Sequence, residues 1–207
     1  MVENKEKIVA GAGEMFMKFG VRSVTMDDVA HELGMSKKTL YQSFTNKDDL
    51  VLEVSKAHIE EEKVEFGSVE DESANALDEL FRITKCVRKS MQSVNPSLLF
   101  DLEKYHPSSW DLFLDFKYNF IRAMVERNVT NGVEEGYYRP EITPDVMAKL
   151  RMEQVQMVFD PKIFPMAEYD LVDVQMQVLD HFIHGLLSDK GRDLYHTYQQ
   201  QTETRNK

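Results

Sequence analysis

The chain has 207 residues, 42% of them hydrophobic, and carries 36 acidic against 25 basic side chains for a formal net charge of −11. That length and apolar content suffice for a packed core and exclude wholesale disorder. A single cysteine, Cys86, excludes an intrachain disulfide and a cysteine-based zinc site, and no run approaches the roughly 18 apolar residues of a membrane span.

Sparse proline (6) and glycine (9), with 12 Met and 12 Phe and apolar residues at three- and four-residue steps, predict an all-α fold. The lone thiol and the charged start "MVENKEKIVAGAGEMF" fit a cytoplasmic protein. The acidity is uneven. Residues 1–58 hold 8 Lys/Arg and 9 Asp/Glu, and the remainder holds 17 and 27. A near-neutral head on a strongly acidic body predicts two parts with different tasks, of which only the head can approach a polyanion. The division expected is a DNA-binding domain over 1–48, a helical regulatory and dimerisation domain over 49–200, and a flexible tail over 201–207.

In chain order, Ile8, Val9, Ala12, Met15, Phe16 and Phe19 form one apolar stripe on a helix of about 4–19, with Gly20 placed to end it. "VTMDDVAHELGMS" then carries dense boundary chemistry. Thr25 and Asp28 match a capping box, and Val24 and Val29 match its hydrophobic staple. Met26, Val29, Ala30 and Leu33 face inward on two turns, and Gly34 can adopt the left-handed conformation that stops them. Ser36 caps the next helix, whose buried side is Leu40 and Phe44. Asn46, with Asp49 three residues on, caps a fourth helix carrying Leu50, Leu52, Val54 and Ala57. Two short helices joined by a tight glycine turn and braced on either side make a helix-turn-helix.

In such a motif the N-terminal residues of the second helix meet base edges in the major groove. Here these are Lys37, Lys38 and Thr39, with Gln42 one turn on. Lysine can donate to guanine, glutamine can pair with adenine, and threonine can bond or touch a thymine methyl. Tyr41, Lys47 and the capped start at Thr25 suit phosphates. Residues 33–47, "LGMSKKTLYQSFTNK", contain three lysines and no acid, as a surface facing one phosphate charge per roughly 1.7 Å of duplex requires.

"VTMDDVAHELGMSKKTLYQSFTNKDDL" is similar to the DNA-binding signature of the tetracycline-repressor (TetR) family of bacterial regulators. The marks are the Thr25 cap, "DVA", "LGMS", "TLY" at 39–41, Phe44 and "NKDDL" at 46–50. The resemblance covers about 50 residues. It implies an α-helical homodimer whose C-terminal domain dimerises and holds a small-molecule effector that releases the operator. It assigns Thr25, Tyr41 and Lys47 to the DNA backbone and Lys37, Thr39 and Gln42 to the bases, and Ser36 and Lys38 complete the expected DNA-binding set. Two positions depart from the family pattern: Lys38 stands where glycine is frequent and Ser43 where histidine is frequent.

In the body, "FGSVEDESAN" (67–76) reads as the passage out of the head. Helices are expected near 74–94, 96–105, 109–130, 144–159, 171–188 and 190–199, with first-turn prolines at Pro96 and Pro144 and breakers at Pro107, Gly132, Gly136, Pro140, Pro161 and Pro165. Residues 80–100 are also free of acids, and Arg82, Lys85, Arg88 and Lys89 read as an exposed face balancing the acidic body. Trp110, Phe113, Phe116, Phe120 and Met124 recur at helical steps. With Phe81 and Phe100 they are candidate pocket residues, although a plain core stripe explains the same spacing. A wide stripe over 171–187, together with "TPDVMAKLRMEQVQMVF", resembles the family's dimerising helix pair. Val155, Phe159, Val178, Phe182, Gly185 and Leu186 are its candidate interface residues. A symmetric dimer predicts a near-palindromic operator.

No cofactor, metal site, membrane partner or enzymatic activity is expected. Glu103 and His106 have the Glu-x-x-His step of di-iron bundles but lack the second pair that such a site requires. His181 and His184 read as interface or solvent-facing residues. The function expected is a sequence-specific transcriptional regulator, a repressor released by a small apolar or amphipathic ligand. The alternative is an acidic helical interaction module without DNA binding.

Overall fold

The computed structural model describes residues 2–205. Among them are eleven α-helices: α1 Val2–Phe19, α2 Met26–Glu32, α3 Lys37–Ser43, α4 Lys47–Glu72, α5 Ala76–Ser93, α6 Leu98–Tyr105, α7 Pro107–Asp115, α8 Arg122–Glu134, α9 Pro144–Val158, α10 Leu171–Leu186 and α11 Asp189–Arg205. A π-helical turn, Phe116–Ile121, joins α7 to α8. The all-α expectation holds, and no described helix is long and apolar enough to cross a membrane.

The chain packs as two compact units. One comprises Met1–Val64 with Gln92–Phe116, the other Glu65–Met91 with Lys117–Lys207. Both cut across the division at residue 48 expected from sequence, because packing follows contacts rather than chain order. The core of the first unit is built from Ile8, Ala12, Phe16, Val29, Leu40, Phe44 and Leu50, all at most 3% exposed, and it also takes in Leu102 of α6. Trp110 of α7 packs against it. Helices α6 and α7 therefore brace the head. The Asn95 amide donates to Met17 O at 2.7 Å, and the buried Asp101 accepts from the Arg22 amide at 3.2 Å.

The second unit is centred on α10. Leu179, Phe182, Ile183, Leu186 and Leu187 pack with Leu77, Leu80, Tyr138 and Tyr195. A buried polar network stands beside this core. Glu79 accepts from Arg127 Nη2 at 2.8 Å and from Asn128 Nδ2 at 2.9 Å, and the Tyr138 hydroxyl donates to Asn128 Oδ1 at 3.0 Å. Each side chain has at least one partner, which lets these polar groups remain in an apolar interior, although the buried Arg127 Nε has none among the described residues.

Several boundaries differ from the sequence reading. Residues 67–72 continue α4, since Val69 finds a buried seat with Ile83 and Met124 and Glu70 pairs with Arg127 at 2.6 Å. Gly132, expected to break a helix, is buried inside α8 because the Tyr138 ring lies against its Cα. Pro107, expected between two helices, is the first residue of α7, and Pro96 lies in the turn before α6. The helix expected over 109–130 is divided by the π turn. Helix α11 runs to Arg205, through most of the expected tail, whose residues Asn206 and Lys207 lie outside the described residues.

Candidate nucleic-acid interface

The chain bends into α2 at a capped corner. Thr25 adopts an extended conformation, its Oγ1 accepts from the Asp28 amide at 3.2 Å, and Asp28 Oδ2 accepts from the Thr25 amide at 2.8 Å. The Thr25 hydroxyl also donates to Asp28 Oδ2 at 2.6 Å. These bonds hold the Asp28 carboxyl below its ordinary pKa. The box pairs two donors that a helix start otherwise leaves open.

Gly34 then sits at φ +64°, and the helix closes as a Schellman turn. The Met35 amide donates to Ala30 O at 2.9 Å and the Gly34 amide to His31 O at 3.1 Å. This turn aims α3, and Ser36 begins it: Ser36 Oγ accepts from the Thr39 amide at 3.1 Å and bonds Thr39 Oγ1 at 2.8 Å. Leu40 is fully buried and Phe44 is 3% exposed. With one face of a seven-residue helix so anchored, Lys37, Lys38, Tyr41 and Gln42 are left exposed on the others. Tyr41 is 50% exposed, more than its packing requires.

Besides the cap residues Thr25 and Ser36, three of the expected DNA-facing residues have internal partners. The Lys37 ammonium pairs with the exposed Asp27 of α2, so an acid does stand beside α3 although none lies in the 33–47 stretch. The crossing of α2 and α3 brings together side chains ten residues apart, which linear charge counting could not see. The pair is exposed on both sides and therefore weak. Thr39 is half-buried with its hydroxyl on Ser36. Lys47 donates to Val21 O at 2.6 Å, clamping the start of α4 to the corner before α2, and burial lowers its pKa. The expected cap of α4 is present, with the Asp49 amide donating to Asn46 Oδ1 at 2.9 Å.

Two further residues tie the head together in a way the sequence did not show. His106, 8% exposed, bonds Asp48 Oδ1 through Nδ1 at 2.7 Å, and so joins the α6–α7 corner to the first turn of α4. Asp101 does the same for Arg22. Partners 58 and 79 residues apart leave no local signature.

The residues proposed for a pocket are distributed over both units. In the first unit Trp110 stacks on Phe113 at 5.3 Å, Phe100 is 39% exposed and Phe116 is buried. In the second unit Phe81 lies against Tyr195 and Tyr198, Met124 joins Val69 and Ile83, and Phe120 is half-buried. Of the candidate interface residues, Phe182 and Leu186 are buried in the protomer's own core. Gly185 is exposed, and Val155, Phe159 and Val178 are half-buried. His181 and His184 face solvent. In the acid-free 80–100 stretch, Arg82 pairs with Asp78 and Glu72, and Lys85 lies over the Phe81 ring.

Residues 8–54 match the family model of bacterial regulatory proteins, tetR family. The chain is 29% identical over 175 residues to the HTH-type transcriptional regulator YvaF of Bacillus subtilis, covering 83% of this chain and 90% of that protein. It is 23% identical over 143 residues to the HTH-type transcriptional repressor KstR2 of Mycobacterium tuberculosis, covering 66% and 70%. A putative transcriptional regulator from Saccharomonospora viridis, solved in complex with choline, superposes with a TM-score of 0.74 at 20% identity, covering 91% of this chain and all of that one. The KstR2 structure superposes with a TM-score of 0.59 at 19% identity, covering 89% and 95%.

Proposed function

We propose that the chain, whose residues 8–54 match the tetR-family model and which resembles the regulator YvaF over 83% of its length, is a TetR-family regulator acting as a homodimeric repressor that reads a near-palindromic operator through α3. The observation carrying this is the division of α3: Leu40 wholly buried, Lys38, Tyr41 and Gln42 on the open faces, and caps at both flanking starts. A rigidly seated helix with polar residues outward can enter the major groove without rearranging. Two copies about one DNA turn apart, roughly 34–36 Å, would read the two half-sites.

In this reading Thr25, Ser36, Tyr41 and Lys47 meet the phosphates. Lys37, Lys38, Thr39 and Gln42 approach the bases, with Lys37 exchanging Asp27 for DNA. The second unit holds an apolar or amphipathic effector whose occupancy withdraws the DNA-competent spacing. Fluorescence anisotropy with duplexes from the protein's own upstream region tests the first step. Specific binding at low salt is expected, and none at any upstream segment would refute operator recognition and favour an acidic interaction module.

A further inference from the structure

The second unit contains a buried cation without a counterion. Arg151 sits in the middle of the inward face of α9, between Ala148 and Val158, and is 6% exposed. Its Nη1 is sealed from solvent and has no hydrogen-bond partner among the described residues. The charge has one close companion, the Phe182 ring of α10, with Cζ 5.8 Å from the centroid. The other buried ionisable groups are treated differently. Glu79 has Arg127 and Asn128, Asp101 has the Arg22 amide, His106 has Asp48, and Lys117 donates to Gln156 and Tyr118. Desolvation with no compensating acid pulls the Arg151 pKa down to about 10.

An unpaired guanidinium taken out of water strongly disfavours the fold unless something anionic completes it. Gln175 is 2% exposed, and its Oε1 and that of Gln154 have no partner among the described residues. Arg122 and Arg127 also have a buried Nε without a partner, but each of them has a carboxylate on another nitrogen, which Arg151 lacks among the described residues. In a protein of net charge −11, many carboxylates were available to pair with Arg151, yet none does so among the described residues.

We propose that Arg151 is the anchoring residue for the carboxylate of an effector whose apolar body lies against Phe182 and the neighbouring core. This rests on the effector reading above and adds the effector's chemical class. Guanidinium and carboxylate match as a two-bond fork, and the aromatic face stabilises the cation from the side that the acid leaves free. Since Nη1 is sealed between α9 and its neighbours, the acid must displace α9 side chains to reach it, so occupancy is coupled to the α9–α10 pair. The same charge rejects cationic ligands.

Isothermal titration of the full-length protein with dodecanoate, dodecanol, choline and inorganic phosphate tests the assignment. Dodecanoate is expected to bind about tenfold or more tighter than dodecanol, as a charged hydrogen bond in a dry site implies, with choline and phosphate alone far weaker. Arg151→Met should bring dodecanoate to the level of dodecanol while leaving dodecanol within about twofold of wild type, and Arg151→Lys should fall between. Without ligand, Arg151→Met should raise Tm by about 3 °C, since it removes an unpaired buried charge.

Equal affinity for acid and alcohol in the wild type would overturn the proposal. So would acid preference surviving in Arg151→Met, or phosphate binding as tightly as dodecanoate. Conversion of Arg151→Met to monomers in sedimentation, with no change in acid preference, would overturn it by assigning the counterion to a second copy of the chain. Operator affinity is measured separately. Dodecanoate binding through Arg151 without operator release would support the site and refute the effector reading.

Discussion

Lys47 shows how one side chain can serve both the fold and DNA. Its ammonium donates to Val21 O, yet two further N–H donors remain for a phosphate. Lys47→Ala should lower stability by about 1 kcal/mol, a value reduced for partial solvent access, and weaken DNA binding about equally on all sequences. Thermal unfolding without DNA and a binding panel across operator variants separate the two effects; altered base preference would contradict the phosphate assignment. Gln42 is exposed, and no side-chain hydrogen bond engages it among the described residues. Gln42→Ala should leave Tm unchanged and relax preference at one base position by about 1–3 kcal/mol.

At the scale of the element, the two glycines Gly34 and Gly132 make opposite predictions. Gly34 has φ +64° and open space where a Cβ would go, so Gly34→Ala meets only the backbone penalty of the left-handed region, about 1 kcal/mol. Gly132 has ordinary helical geometry, but a Cβ there would stand 2.1 Å from the Tyr138 ring. That ring is 1% exposed and tethered through its hydroxyl. Gly132→Ala should cost about 3 kcal/mol or more by overpacking, as denaturant unfolding would show. The capping box of α2 makes a pH prediction. Asp28 titrates below its ordinary 3.8 because Thr25 bonds its charged form. Its contribution is therefore complete above the unfolded pKa and lost as pH falls through the lower folded value. Asp28→Ala should lower Tm at pH 7, and the difference from wild type should shrink as the pH falls below the unfolded carboxylate range, as thermal unfolding across pH would show.

The caps and turns of α1 to α4 were legible because each is written within five residues of sequence: Thr25 with Asp28, Ser36 with Thr39, Asn46 with Asp49. The body was less legible. Continuing α4 through 67–72 depends on Arg127 and Val69 contacts that polar composition conceals, and α6 joins the head through Asp101 and Leu102, which a local reading assigns to the body. The candidate site divides the same way. The outward positions of Lys38, Tyr41 and Gln42 follow from helical spacing, while the partners of Lys37 and Lys47 come from the way α2, α3 and α4 pack.

For the whole molecule, charge decides how DNA is approached. With a net −11, association is opposed except through the α3 face, so affinity should fall steeply with salt, by a log–log slope of about −0.9 per phosphate neutralised. Lys47→Ala, which removes the proposed phosphate contact, should reduce that slope by about two in a dimer, one contact per copy, with anisotropy titrations across salt as the measure. By itself the sequence determined the all-α class, the helix-turn-helix and its caps, since these follow from side-chain periodicity and from hydrogen bonds three or four residues long. Only the tertiary structure decided which cations are paired. Lys37 found Asp27, Lys47 found Val21, and Arg151 found no acid, because pairing depends on which elements meet and how much water their contact expels.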